Sequence, residues 1–229
     1  MRTIRAPFFI VNPKAYLYGE RALKLAKLAD ELAEKYDLDI LFTAQHVDLR
    51  LIKAACPHLI ITAQHMDGLT PGRGMGHILP DALAEAGVEA VFLNHAEHAC
   101  TFAQLARAVA RGKELGIASI ICADSVDEAK LLAGLHPEIM VCEPTSLIGT
   151  GKVSGDDYMT ATNNAVKSVS PETLVLQAAG ISSGRNVYDA IMSGADGTGA
   201  TSGIVAAADP EAMLAEMVEA VCRAREDRK

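Results

Sequence analysis

ASIICADSVDEAKLLAGLHPEIMVCEP, residues 118–144, decides the fold. It opens on ASIIC (118–122) and closes on EIMVC (138–142), two runs that do not alternate apolar with polar. A run of that kind, bounded by polar turns, reads as a strand buried on both faces. Such strands belong to parallel sheets covered by helices. Between the runs lies VDEAKLLAGL (126–135), with apolar residues at helical spacing. The stretch is one strand–helix–strand unit, and each of its strands is followed by a carboxylate, Asp124 and Glu143.

The same unit recurs in both directions. Apolar runs stand at FFIV (8–11), DILF (39–42), LIIT (59–62), AVFL (90–93) and TLVLQ (173–177). Helical patterns stand at 20–36, 102–115, 187–194 and 211–225, the last opened by Asp209-Pro210. An eighth strand must come from GADGTGAT (194–201), although glycine is disfavoured in strands. Alternating strands and helices allow a doubly wound sheet or a closed barrel. Eight units within 229 residues favour a parallel (β/α)8 TIM barrel with outer helices, one domain over residues 1–229. The longest irregular segment, QHMDGLTPGRGMGHILP (64–80), is rich in glycine; a loop of that length is expected to be functional or to make a subunit contact. Met66 and Met75 in it read as interface packing.

Composition narrows the function classes. With 29 acidic and 21 basic side chains the formal charge is −8, a poor match for nucleic acid or an anionic membrane surface. No run approaches the ~18 apolar residues of a membrane span, and the N-terminus lacks a signal-peptide pattern. Five scattered cysteines with no CxxC pair fit a reducing cytoplasm. Cys122 and Cys142, each ending an apolar run, read as small buried hydrophobes.

In a (β/α)8 barrel the chemistry sits where the strands end. The residues after the runs are Asn12-Pro13-Lys14, then Thr43, Gln45 and His46, then Gln64 and His65, then Asn94, His95 and Glu97. Asp124, Glu143, the set Gly180 to Ser183, and Thr201 to Gly203 follow. One Lys, one His and one Glu thus converge on one rim, and the last two loops are built of small residues that let backbone N–H groups approach an anion. These are the parts for moving a proton beside a carbonyl on a phosphorylated substrate.

The stretches VNPK (11–14), LNHAE (93–97), EPTSLIGTGK (143–152), AAGISSGRNV (178–187) and GATSG (199–203) together resemble the triosephosphate isomerase family in its short archaeal-type form. They lie in the family's order and cover essentially the whole chain. The resemblance implies interconversion of dihydroxyacetone phosphate and glyceraldehyde 3-phosphate through an enediolate, without a cofactor. It implies Glu143 as base, neutral His95 as electrophile and proton shuttle, and Lys14 as the cation. It implies Asn12 for orientation, Glu97 as support, and residues 144–152 as a closing lid. Phosphate would sit near Gly151, Gly180, Ser182, Thr201 and Ser202. A homo-oligomer, tetramer or dimer, of a glycolytic and gluconeogenic enzyme of the cytoplasm is expected, with the 64–80 loop as a candidate contact.

The pattern has departures. Ala96 stands where the family has Ser, Pro13 replaces a bulkier residue, and the eighth strand is glycine-rich, which suggests extra room near the phosphate. An isomerase of a larger phosphorylated ketose, such as an erythrulose phosphate, is the alternative, followed by a barrel that binds sugar phosphate without turnover. Metal chemistry is not expected: His95-Ala96-Glu97 lacks the downstream Pro-Cys-x-x-Cys of zinc deaminases, and His95 and His98 lack the H-E-x-x-H spacing. GTGKVSG (149–155) is not a nucleotide phosphate loop, since Val153 follows the lysine. A Schiff-base lyase would want a lysine late in the barrel, and strands five to seven end without one. His98 reads as a surface or contact residue.

Overall fold

The computed structural model describes residues 2–147, 155–178 and 180–228. The elements in chain order are β1 (Phe8–Val11), α1 (Gly19–Tyr36), β2 (Ile40–Ala44), α2 (Leu49–Ala55), β3 (Ile60–Ala63) and α3 (Pro80–Glu85). There follow β4 (Ala90–Leu93), α4 (Phe102–Leu115), β5 (Ala118–Ala123), α5 (Val126–Ala133), β6 (Ile139–Cys142) and α6 (Asp156–Val169). The chain ends with β7 (Leu174–Gln177), α7 (Gly184–Met192), β8 (Gly197–Ala200), α8 (Ser202–Val205) and α9 (Pro210–Asp227). The strands pair in parallel in sequence order, and β8 closes onto β1 with Phe8 beside Gly197 and Val11 beside Ala200.

Alternate residues of each strand enter two different cores. Phe8, Ile10, Leu41, Ile60, Phe92, Ile120, Val141 and Leu176 point inward and fill the barrel. Phe9, Val11, Phe42, Ile61, Leu93, Ile121, Met140 and Val175 face outward and pack against helix residues such as Leu25, Leu105, Leu214 and Val218. Both faces are dry, so the strand sequences carry no polar alternation. At ~1.5–3 kcal/mol for each large side chain buried, these two layers dominate the favourable side of folding.

The glycines of β8 have a packing cause. A Cβ on Gly197 would lie 2.4–2.6 Å from three carbons of the Phe8 ring, and one on Gly199 would lie 2.6 Å from the Ile10 carbonyl oxygen. Side chains of β1 therefore occupy the space that β8 residues leave. The expected extra room is filled by Phe8 and Ile10, which corrects the reading of that strand as an enlarged pocket.

Four helices were not anticipated: α2, α3, α6 and α8. In α6 the inner stripe runs Met159, Thr162 and Val166, with a threonine at its centre. Thr162 donates its hydroxyl to the Tyr158 carbonyl at 2.8 Å and accepts from Gln177 Nε2 at 3.0 Å, so a polar residue sits in the buried stripe with its hydrogen bonds made. Met66 is a second correction: it is fully buried, with its methyl group close to Gly112 of α4, and belongs to the core. Met75 is fully exposed.

Candidate active site

The inward parity of each strand continues past its last residue, and that carries the site. Ile10 points inward, so Asn12 does too; Val141 leads to Glu143, Ile120 to Cys122, and Leu176 to Ala178. A cavity of about 150 Å³ opens at this end of the barrel, above a floor that includes Ile10, Phe92, Val141 and Leu176. Its walls bring together Asn12, Lys14, His95, Glu97, Glu143, Gly180, Ser182, Thr201 and Ser202. Gly151, and residues 148–152 of the expected lid, lie outside the described residues.

Lys14 sits in a left-handed turn, φ 46°. Its Nζ donates to Glu97 Oε1 at 2.7 Å, linking the end of β1 to the loop after β4. That hydrogen bond holds the Glu97 carboxyl below the usual carboxylate range, against an opposing push from burial. Asn12 Oδ1 accepts from the Lys14 N–H at 3.0 Å and from Thr43 Oγ1 at 2.6 Å.

His95 follows Asn94, which also takes a left-handed φ of 58°. Asn94 Nδ2 donates to the Cys122 carbonyl at 3.0 Å and to Glu128 Oε1 at 3.2 Å, and its Oδ1 accepts from the Cys100 N–H at 3.1 Å. The loop is pinned to β5 and α5 by that one side chain. Burial keeps His95 below the ordinary imidazole value; the positive charge of Lys14 adds to this, and Glu97 opposes it. The Glu97 backbone N–H points at His95 Nδ1 at 3.1 Å, so Nδ1 accepts. A neutral imidazole that accepts at Nδ1 carries its proton on Nε2 and donates from there.

Glu143 lines the same cavity and is half-buried. Burial raises its carboxyl above the usual range; Lys14 lowers it and Glu97 raises it further. The turn after it is tied down by Asp124, whose Oδ1 accepts from the Thr145 N–H at 2.6 Å. Asp124 is tied in turn, since its own N–H donates to Glu128 Oε2 at 2.7 Å. Glu128 therefore bridges the loop holding His95 and the turn that follows Glu143, a role the sequence reading missed.

On the opposite wall Ser182 donates from its N–H and from its hydroxyl to Asn186 Oδ1, each at 3.2 Å. Asn186, on α7, was not anticipated either. Gly203 lets the two small-residue loops meet, because a Cβ there would lie 2.4 Å from the Ile181 carbonyl oxygen. Cys122 corrects the reading of a plain buried hydrophobe, since its side chain lines the cavity; burial pushes its thiol far up. Cys142 faces away, fully buried, its thiol pushed up to about 12. His98 is exposed and its ring meets that of His65 at a tilt of 43°, with centroids 4.1 Å apart. Among the described residues no group of three His, Cys, Asp or Glu side chains is disposed to hold a metal ion.

The chain is similar to proteins of known class along nearly all its length. The family model described as triosephosphate isomerase matches residues 7–221. A triosephosphate isomerase from Methanocaldococcus jannaschii is 33% identical over 215 residues, 92% of this chain and 98% of the relative. One from Methanopyrus kandleri is 35% identical over 221 residues, 94% of this chain and 98% of the relative. One from Metallosphaera sedula is 32% identical over 230 residues, covering 98% and 100%. With a closed eight-stranded parallel barrel and a family match across the whole of it, this chain belongs to the triosephosphate isomerase family.

Proposed function

We propose that the chain interconverts dihydroxyacetone phosphate and glyceraldehyde 3-phosphate through an enediolate. The observation that carries this reading is the pairing, in one cavity, of a desolvated carboxylate with a neutral imidazole whose protonated nitrogen is Nε2. Glu143 takes a proton from the carbon beside the carbonyl, and the negative charge moves to oxygen. His95 Nε2–H and Lys14 stabilise that oxygen; His95 gives its Nε2 proton to it and takes the proton of the neighbouring hydroxyl in return, and Glu143 returns the carbon-bound proton to the neighbouring carbon. A carboxylate deprived of water is a stronger base than an exposed one, so the burial of Glu143 serves the step. Asn12 orients the substrate, and Gly180, Ser182, Thr201 and Ser202 receive the phosphate, with Ser182 exchanging Asn186 Oδ1 for a phosphate oxygen.

The whole chain acts as one domain, in the cytoplasm, where its five free cysteines remain reduced. Among the described residues no helix is long and apolar enough to cross a membrane. The chain works as a homo-oligomer. Support for that comes from Tyr16, Tyr18, Val47 and Met75, large exposed apolar residues on three successive loops at the site end of the barrel.

A steady-state assay on glyceraldehyde 3-phosphate and on erythrulose phosphates tests the chemistry. The expected result is a kcat/KM above about 10⁶ M⁻¹s⁻¹ for the three-carbon substrate. Glu143→Gln is expected to lower it by roughly 10²–10⁴-fold, the range for a lost general base. Turnover of a four-carbon substrate alone, or a Glu143→Gln enzyme as active as the parent, would overturn the reading.

A further inference from the structure

We infer that Gln45 and Gln64 are positioning residues for Lys14, forming an amide clamp that sets the direction of its side chain. The inference rests on the isomerase reading of the site. Lys14 has no glycine's freedom, yet it occupies a left-handed conformation at φ 46°, a costly backbone state that persists only where surroundings impose it. Its backbone is held from both sides. The N–H is taken by Asn12 Oδ1. The carbonyl accepts from Gln64 Nε2 at 2.8 Å and from Gln45 Nε2 at 3.2 Å.

The two glutamines also register each other, since Gln45 Nε2 donates to Gln64 Oε1 at 3.0 Å. A carbonyl can only accept, so both amides must turn their NH₂ groups toward Lys14, and the spare N–H of Gln45 then meets the one oxygen Gln64 has left. The arrangement has a single self-consistent orientation. It joins the ends of β1, β2 and β3 around one peptide unit, while the Lys14 side chain crosses to Glu97 on the far side of the cavity. Both glutamines are half-buried at strand ends, where the sheet fixes their Cα atoms. Neither donates to Glu97, His95 or Glu143 in the hydrogen bonds they make, so their effect on the reaction passes through Lys14.

Gln64→Met and Gln45→Met keep most of the side-chain volume and remove the donors. The clamp itself is read by NMR on protein labelled with ¹³C at lysine carbonyls and ¹⁵N at alanine. Only two Lys-Ala pairs exist, Lys14-Ala15 and Lys53-Ala54, so the spectrum holds two signals. Either substitution is expected to shift the Lys14-Ala15 signal and leave the other in place. Its role is read by a double-mutant cycle on kcat/KM. Gln64→Met is expected to cost about 10–100-fold in the parent, the scale of a small misplacement of a reacting group. It should cost less than about twofold once Lys14→Ala has removed the group it positions.

An unmoved Lys14 signal would overturn the clamp. A moved signal with the same fold loss in both backgrounds would overturn the positioning role and leave a structural one. Absence of turnover by the parent enzyme would fail the isomerase reading and the positioning role with it, while the two-signal spectrum still decides whether the clamp exists.

Discussion

Glu97 acts on both groups to which the proposed mechanism gives proton transfer, and in the same sense. Its negative charge raises Glu143 and raises His95, while Lys14 lowers both. The base must be ionised to work, so the acid limb of kcat/KM against pH follows Glu143 and lies above the ordinary carboxylate range. Glu97→Gln removes one raising charge and frees Lys14 from its partner, and both changes lower Glu143. The acid limb is therefore expected to move to lower pH. His95 also moves down, since the same raising charge is removed from it. The plateau should fall about tenfold, or roughly 1.4 kcal/mol, because Lys14 loses its 2.7 Å partner. A pH–rate profile of the variant checks both parts, and a limb displaced to higher pH would contradict the charge assignment. Much of this was legible in the chain: a polar residue two steps beyond an inward apolar one must point into the barrel mouth, which places Asn12 and Glu143. The tautomer of His95 was not, because it depends on the Glu97 N–H folding back on Nδ1. Nor was Asn186, which lies in a helix and reaches the site only through the Ser182 turn.

At the scale of elements, β1 and β8 form one packing unit. Phe8 and Ile10 are large because Gly197 and Gly199 are small, and each half is unreadable without the other. Propensity argued against GADGTGAT as a strand, and only the count of units required one there; the Phe8 ring explains why glycine is tolerated. Gly197→Ala is expected to destabilise by about 1–3 kcal/mol through overpacking. Phe8→Leu leaves a cavity and also destabilises. The contacts come from the far end of the Phe8 ring, which leucine lacks, so the double variant should be more stable than the two losses summed. Chemical denaturation of the four proteins measures the coupling, expected at on the order of 0.5–3 kcal/mol. Strict additivity would mean that the ring does not fill the place of the missing side chain. The same logic explains which helices escaped the sequence reading. The patterns of α1, α4 and α9 are long and apolar on one face, whereas α2 spans seven residues, α3 six and α8 four, too short for a periodicity to declare itself, and the 14 residues of α6 set Thr162 in the middle of their buried stripe.

At the scale of the molecule, four large apolar side chains stand exposed on the loops at the site end of the barrel. Met75 is fully exposed, Val47 is 88% exposed, and Tyr16 and Tyr18 are 61% and 66% exposed. They stand on the loops after β3, β2 and β1, which are neighbours around the rim. Isolated apolar residues on a surface need no explanation, whereas a group on adjacent loops supports the proposed association. These loops also carry Lys14 and its two glutamines, so the proposed interface would press on the residues inferred to position that lysine. The native mass is expected to be a multiple of the 24.2 kDa chain mass. Met75→Glu with Val47→Glu places two carboxylates in that face on a chain already at −8, and desolvating them on association is unfavourable. The variant is expected to sediment as a single chain, to lose the concentration dependence of its melting temperature, and to fall at least tenfold in kcat/KM with Lys14 intact. A parent protein sedimenting at 24.2 kDa would remove the association, and a dissociated variant of full activity would show that the clamp around Lys14 holds without a neighbour.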